Sequence, residues 1–285
     1  MKHLFITDMD GTLLNDKSLV SHKSAEIISS LTRQGALITV ATARTPATVE
    51  PLLEGVETGL PAIVMTGAAM WDRSSQAYVN THPFDGDADR QILSMLRQEG
   101  IEPFVYRFYD GDPLLHVYRN SPFSADDIRF IEERRVSGLK EFHIDQQMPD
   151  GGHTMLFFAM GPKGRIFAAA DRIRQLGICS VSAFTDIFGE DTGILELFAP
   201  GVSKASAVKA LKELTGADRL TVYGDNLNDL PMMAVADDSV AVANALPEVK
   251  AAATRTIAAN TADAVALDIQ RILQSESDRK NHNQT

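Results

Sequence analysis

Cysteine is almost absent: Cys179 is the only one among 285 residues. An internal disulfide and a cysteine-based zinc site are therefore excluded. A reducing, cytoplasmic setting is the natural expectation. No apolar run approaches the roughly 18 residues of a membrane span. The first apolar run, residues 4–7, ends at Asp8 and is too short for a signal-peptide core, so no leader and no membrane partner are expected. Positive charge is scarce too. There are 27 Lys and Arg against 38 Asp and Glu, a net charge of −11. Arg134-Arg135 and Arg172/Arg174 lie in helix-like stretches with acids nearby, and no long basic run offers a face to a nucleic-acid backbone. Internal repeats and low-complexity segments are missing, and nothing signals an obligate protein partner.

What is present is a 44% apolar fraction, enough for one large core or two modest ones. Apolar runs at 3–7, 36–41 and 61–65 alternate with helical stretches at 21–34 and 46–54. Continuous apolar strands separated by helices predict a parallel sheet covered on both faces. A hairpin is expected from 69–72 and 77–81. Between 84 and 190 the pattern changes. Helices are expected at 87–99, 124–135 and 163–176, with strands near 104–108, 114–118, 141–144, 154–160 and 178–184. That mixture predicts helices on an antiparallel sheet. A connecting strand at 194–199 then leads back to the first pattern, with helices at 203–214, 227–234, 247–253 and 262–273. Strands at 220–223 and 239–243 and near 256 alternate with them.

The expected architecture is a doubly wound, Rossmann-like α/β core, residues 1–83 and 191–274, interrupted by an inserted α+β cap domain, residues 84–190. Ordinary loops are too short to absorb an interruption of that size. The polar segment 275–285 reads as a disordered tail.

Four short segments carry chemistry, and three of them directly follow expected strands. Asp8-Met9-Asp10-Gly11-Thr12 places two acids and a hydroxyl at a carboxyl edge, where open α/β sheets bind ligands. A bare D-x-D is more often a turn or a cap. Thr42 can donate its hydroxyl to an oxyanion, or can cap the next helix. Lys204 falls in the first turn of a helix, where a cation is disfavoured by the dipole unless an anion is near; an exposed lysine is the ordinary alternative. Asp225-Asn226-Leu227-Asn228-Asp229, opened by Gly224, is dense in oxygen donors and suits a hard cation such as Mg²⁺. A helix-capping turn is its alternative.

In this order, Asp8-x-Asp10-Gly11-Thr12, Thr42, Lys204 and Gly224-Asp225-x-x-Asn228-Asp229 resemble the haloacid dehalogenase-like (HAD) superfamily, and more closely the Cof-like phosphatases. Gly201-Val202-Ser203-Lys204 and Asn244-Ala245-x-Pro247-Glu248-Val249-Lys250 extend the likeness, which covers nearly the whole chain. The resemblance implies an Mg²⁺-dependent phosphatase of small phosphate monoesters, such as sugar phosphates or related phosphometabolites. It implies Asp8 as nucleophile, through an aspartyl-phosphate, and Asp10 as acid and base. It gives Thr42 and Lys204 to the phosphoryl oxygens, and Asp8, the Asp10 backbone carbonyl and Asp225 to the metal, with Asn228 and Asp229 behind them. Arg44, Thr66 and Glu196 are candidate substrate contacts by position; for Arg44 and Glu196 an ordinary surface salt bridge and an edge-strand acid are equally open. The family usually has Gly at Ala43 and Ala205, and Asn-Gly at Thr66-Gly67. A sugar phosphomutase, or a silent phosphometabolite-binding protein, would share much of the pattern. His116, His143 and His153 show no helical i, i+4 spacing and read as ordinary core or surface histidines.

Overall fold

The structure is a computed structural model and describes residues 2–134, 138–186 and 189–282. Arg135, the last residue of the helix expected over 124–135, lies outside the described residues. The chain divides into two compact units, residues 1–75 with 203–285 and residues 76–202.

In the first unit the chain opens with β1 (His3–Thr7), α1 (His22–Arg33), β2 (Leu37–Val40), α2 (Pro46–Leu52), β3 (Ala62–Val64) and β4 (Ala69–Asp72). The second unit supplies β5 (Ala77–Val79), α3 (Gly86–Gln98), β6 (Phe104–Phe108), β7 (Leu115–Arg119) and α4 (Ala125–Arg134). It continues with β8 (Lys140–Ile144), β9 (His153–Pro162), α5 (Lys163–Leu176), β10 (Ser180–Asp186) and β11 (Gly189–Phe198). The chain returns to the first unit with α6 (Lys204–Thr215), β12 (Arg219–Gly224), α7 (Leu230–Met233) and β13 (Asp238–Val242). It ends with α8 (Pro247–Ala252), β14 (Arg255–Ile257) and α9 (Ala264–His282).

The first unit is built on a parallel sheet of order β14-β13-β12-β1-β2. A parallel bridge from Ala41 to Ile63 carries it on toward β3. Leu4, Phe5 and Ile6 of β1 are fully buried, as a central strand covered on both faces requires. From β1 the chain first moves one way, to β2, and after the insertion returns on the other side as β12. That reversal makes the carboxyl end of β1 a topological switch point, the place where such sheets open a crevice. Parallel register aligns Thr7 with Val40 and with Tyr223, so the residues following all three strands emerge level.

The second unit is a six-stranded sheet of order β10-β11-β9-β6-β7-β8. Its pairs are antiparallel apart from β7 and β8, which run parallel because α4 crosses between them. The fold is thus α/β with a Rossmann-like parallel core and an inserted α+β domain.

Two expectations from sequence meet different facts. The inserted unit spans 76–202, wider than 84–190, because the run at 194–199 is the second half of β11 and pairs with β9 and β10 inside the inserted sheet. The segment 275–282 is helical where a disordered tail was expected: α9 continues to His282. Apolar residues Val265, Ala266 and Ile269 anchor its first turns, and Glu276 reaches back to Nδ1 of His3 on β1 at 2.8 Å. Residues 283–285 lie outside the described residues. Among the described residues no helix is long and apolar enough to cross a membrane.

Candidate active site

The carboxyl ends of β1, β2 and β12 and the start of α6 bring the sequence motifs together in the first unit. Asp8 follows β1, its N–H donating to the Tyr223 carbonyl at 2.9 Å. Its side chain is buried. Lys204, at the first position of α6, is also buried, its helix started by a capping box between Ser203 and Ser206. The Lys204 ammonium donates to Asp8 Oδ1 at 2.5 Å and to Asp229 Oδ1 at 2.7 Å. Both Lys204 and Asp229 side chains have 0% exposure. The unfavourable cation at a helix N-terminus is thus explained by two buried anions.

Asp229 is fixed on its other oxygen as well. Oδ2 accepts the backbone N–H groups of Asp225 (3.0 Å) and Asn226 (3.1 Å). Asp225 Oδ1 accepts from the Thr12 hydroxyl at 2.9 Å. Gly11 is what allows this approach: its φ is +74°, and a Cβ there would overlap the Asp225 carboxylate. The Asn244 side-chain amide donates to the Gly11 carbonyl at 2.7 Å and braces the turn.

Asp8, Asp225 and Asp229 place carboxylate oxygens within 4.8 Å of one another. One ammonium against three carboxylates leaves the cluster short of positive charge. Burial pushes the Asp8 carboxyl well above the usual carboxylate range; Lys204 opposes this, and Asp229 and Asp225 add to it. Burial also pushes Asp225 up to about 6, opposed by the Thr12 hydroxyl and helped by Asp229. Burial works against the charged form of Lys204, but Asp8 and Asp229 outweigh it and hold its pKa above the usual lysine value. Oxygen-only donors with excess negative charge fit a hard divalent cation. Asp229 is occupied by Lys204 and two N–H groups, so Asp8 Oδ2 and Asp225 Oδ2 are the oxygens left outside this bonding.

Asp10 is turned differently. Arg44 grips it with two parallel bonds, Nε to Oδ2 at 2.7 Å and Nη2 to Oδ1 at 2.6 Å. Arg44 itself follows Thr42, whose hydroxyl accepts the Arg44 N–H at 3.1 Å. Thr42 stands at the end of β2, buried, with its backbone bonded to Ile63 and Thr66. Thr66 has left-handed backbone, φ 57°, and its buried hydroxyl has no hydrogen-bond partner among the described residues. Asn228 is exposed and joins none of these bonds among the described residues. Glu196 lies on β11 of the inserted unit, opposite Phe158 and Ser182.

The sequence pointed to Asp8, Asp10, Asp225 and Lys204 as site residues. It did not reveal that Arg44 pairs with Asp10 or that Asn244 supports Gly11. The N-A-x-P run containing Asn244 was the available signal for the second; nothing local signalled the first.

Comparison with known proteins shows the family and the fold. The profile of the haloacid dehalogenase-like hydrolases matches residues 5–269. The chain is 26% identical to the 5-amino-6-(5-phospho-D-ribitylamino)uracil phosphatase YwtE of Bacillus subtilis, over 94% of this chain and 97% of that one. It is 26% identical to the pyridoxal phosphate phosphatase YbhA of Escherichia coli, over 91% of this chain and 94% of that one. A haloacid dehalogenase-like hydrolase from Bacteroides thetaiotaomicron shares the fold, with a TM-score of 0.74 at 23% identity over 95% of this chain and 100% of that chain. The chain belongs to the haloacid dehalogenase-like hydrolases, in their Cof-like group.

Proposed function

We propose that this hydrolase is an Mg²⁺-dependent phosphatase of small phosphate monoesters, sugar phosphates or related phosphometabolites, working through an aspartyl-phosphate on Asp8. The observation that carries the reading is the Asp8 carboxylate at the switch point. One of its oxygens is pinned by a buried lysine and the other is left free to attack. The phosphatase names of YwtE and YbhA support the substrate class.

Asp8 Oδ2 forms a bond to phosphorus as the ester P–O bond breaks. Asp10, protonated, delivers its proton to the departing oxygen. It then accepts a proton from the water whose oxygen attacks the phospho-Asp8 phosphorus. Phosphate leaves, Asp8 is a carboxylate again, and Asp10 is protonated again. Lys204 orients Asp8 and, with the Thr42 hydroxyl, faces the phosphoryl oxygens. Arg44 exchanges Asp10 for the substrate anion, which releases Asp10 for proton transfer. Asp8, the Asp10 carbonyl and Asp225 would hold Mg²⁺, with Asp229 and Asn228 behind them; when bound, the ion neutralises phosphoryl charge and clamps the transferring group. Substrate selection is assigned to the inserted domain and to Arg44, Thr66 and Glu196. The proposed setting is cytoplasmic, in keeping with a single cysteine.

The test is phosphate release from a panel of small phosphate monoesters by chelator-treated protein, with and without added Mg²⁺, beside Asp8→Asn. Turnover that needs Mg²⁺ and vanishes in Asp8→Asn is expected. Full turnover of metal-free protein, or of folded Asp8→Asn, contradicts the reading.

A further inference from the structure

The inserted unit carries a second cluster of metal-ligating groups that the proposed phosphatase chemistry does not use. It is built where β7 and β8 run side by side. Their parallel register sets His116 opposite Glu141 and Tyr118 opposite His143. Residues two apart on a strand share a face, so both imidazoles and the Glu141 carboxylate come to one face of the sheet. His116 Nδ1 stands 2.8 Å from His143 Nε2, with the rings stacked at 5.1 Å. Glu141 Oε2 lies 3.9 Å from His143 Nε2. Ligand atoms of all three side chains fall within 4.8 Å of one another.

The outer nitrogens decide what the inner pair is for. His116 Nε2 faces Asp112 Oδ2 at 3.0 Å. A carboxylate only accepts, so Nε2 carries the ring proton. His143 Nδ1 faces the side-chain amide of Gln146 at 3.2 Å, and with the amide oxygen turned toward it, Nδ1 carries the proton there. In neutral imidazoles this leaves a lone pair on both inner nitrogens, His116 Nδ1 and His143 Nε2, aimed into the same 2.8 Å space. Two lone pairs at that distance repel unless a ring proton or a metal cation lies between them. An imidazole that donates its far N–H to a carboxylate or carbonyl while its near nitrogen stays bare is the arrangement of a metal-binding histidine. Tyr118 stacks on His143 at 4.7 Å and Tyr109 packs edge-on to His116 at 5.1 Å. The two phenol oxygens are 3.1 Å apart, so the rings are held from behind as well.

We propose that His116 Nδ1, His143 Nε2 and the Glu141 carboxylate form a binding site for a divalent transition ion of the zinc type. Asp112 and Gln146 act as positioning residues. Two imidazoles and one carboxylate favour such an ion over Mg²⁺, which prefers oxygen throughout. Two nitrogens held at roughly 2.1 Å by a tetrahedral ion stand about 3.3 Å apart. Seating the ion therefore asks the rings to part by about half an ångström and the exposed Glu141 carboxylate to swing in by a similar amount. Three protein ligands leave a fourth position for water.

The test uses the full-length protein, stripped with chelator and kept in saturating Mg²⁺ so that the Asp8 and Asp225 oxygens compete poorly for the probe, which is Zn²⁺. Calorimetric titration should show one Zn²⁺ bound per chain. Binding should be lost in His116→Ala and in His143→Ala, and weakened about 10–100-fold in Asp112→Asn. Glu141→Gln should also weaken it, and serves if a histidine variant fails to show a cooperative melt. Side-chain nitrogen NMR supplies the readout that a structural role would not move: Zn²⁺ should shift His116 Nδ1 and His143 Nε2 while their partner nitrogens stay protonated. Three results would overturn the site. One is undiminished Zn²⁺ binding in folded His116→Ala/His143→Ala. Another is no Zn²⁺ binding by the wild type. The third is a spectrum with His143 protonated at Nε2 and unchanged by Zn²⁺, which would mean a plain imidazole–imidazole hydrogen bond.

Discussion

Replacing Lys204 by methionine removes the ammonium and keeps most of the side chain's length and apolar bulk. In the native structure that ammonium lies 2.5 Å from Asp8 Oδ1 and 2.7 Å from Asp229 Oδ1, with all three groups out of solvent. Taking one partner from a buried ion pair costs about 3–5 kcal/mol, because the remaining charge is left uncompensated. That is a large share of the roughly 5–15 kcal/mol by which domains are stable. The burden should fall on Asp8. Asp229 keeps two backbone N–H bonds on Oδ2, whereas among the described residues only Lys204 bonds Asp8 Oδ1. Urea titration of the metal-free protein at neutral pH should therefore show an unfolding free energy lowered by that amount, seen as a lower midpoint with the slope unchanged. Asp8→Asn in the Lys204→Met background should recover much of the loss.

Acidity supplies a second arm. A carboxyl whose folded pKa is raised above its unfolded value contributes stability at low pH, and that contribution is lost as pH rises through the folded pKa. The Asp8 pKa is already raised by burial and should rise further without Lys204. The deficit should accordingly shrink as pH falls from neutral toward the unfolded value of 3.8. A loss below about 1 kcal/mol, the size of an exposed pair, would refute the reasoning, as would a deficit that asparagine at position 8 leaves untouched.

Three other outcomes follow from single positions. Thr66→Asn should raise stability by roughly 1 kcal/mol in urea titration, since a β-branched residue is costly in left-handed backbone that asparagine tolerates. Gly11→Ala should be destabilising by more than about 1 kcal/mol and should weaken Mg²⁺ binding by calorimetry, because the new Cβ meets the Asp225 carboxylate at a φ of +74°. Burial lowers the His3 pKa below 6.5, against the pull of Glu276, so His3 contributes stability that is present above 6.5 and lost as pH falls through its folded pKa. Thermal melts in mildly acidic buffers should show this slope in the wild type, and His3→Gln should flatten it.

Much of the core was legible because its signals are local. Each site motif sits within a few residues of the strand or helix end that positions it, and parallel register does the rest at Thr7, Val40 and Tyr223. Lys204 was informative because its place at a helix start is unfavourable alone. What escaped was set by pairing across the chain. His116 and His143 are 27 residues apart and meet only because α4 makes β7 and β8 parallel, so a search for helical spacing could not find them. The Arg44–Asp10 pair joins two loops 34 residues apart. The last turns of α9 have little apolar periodicity, and the His3–Glu276 contact spans 273 residues. Asp229 and Asn228 look alike as oxygen donors in sequence; burial separates them, with Asp229 inside the Lys204 network and Asn228 in solvent.

The most direct test of the central claim is to trap the covalent intermediate. Protein turning over an activated aryl phosphate with Mg²⁺ would be quenched in acid, reduced with borohydride and mapped by peptide mass spectrometry. Reduction of an acyl phosphate converts the aspartate that carried it to homoserine. The expected result is homoserine at position 8 alone, present only when substrate, Mg²⁺ and Asp8 are all supplied. Conversion at another aspartate, or sustained turnover by Asp8→Asn with no acyl phosphate, would contradict the assignment of Asp8 as the nucleophile.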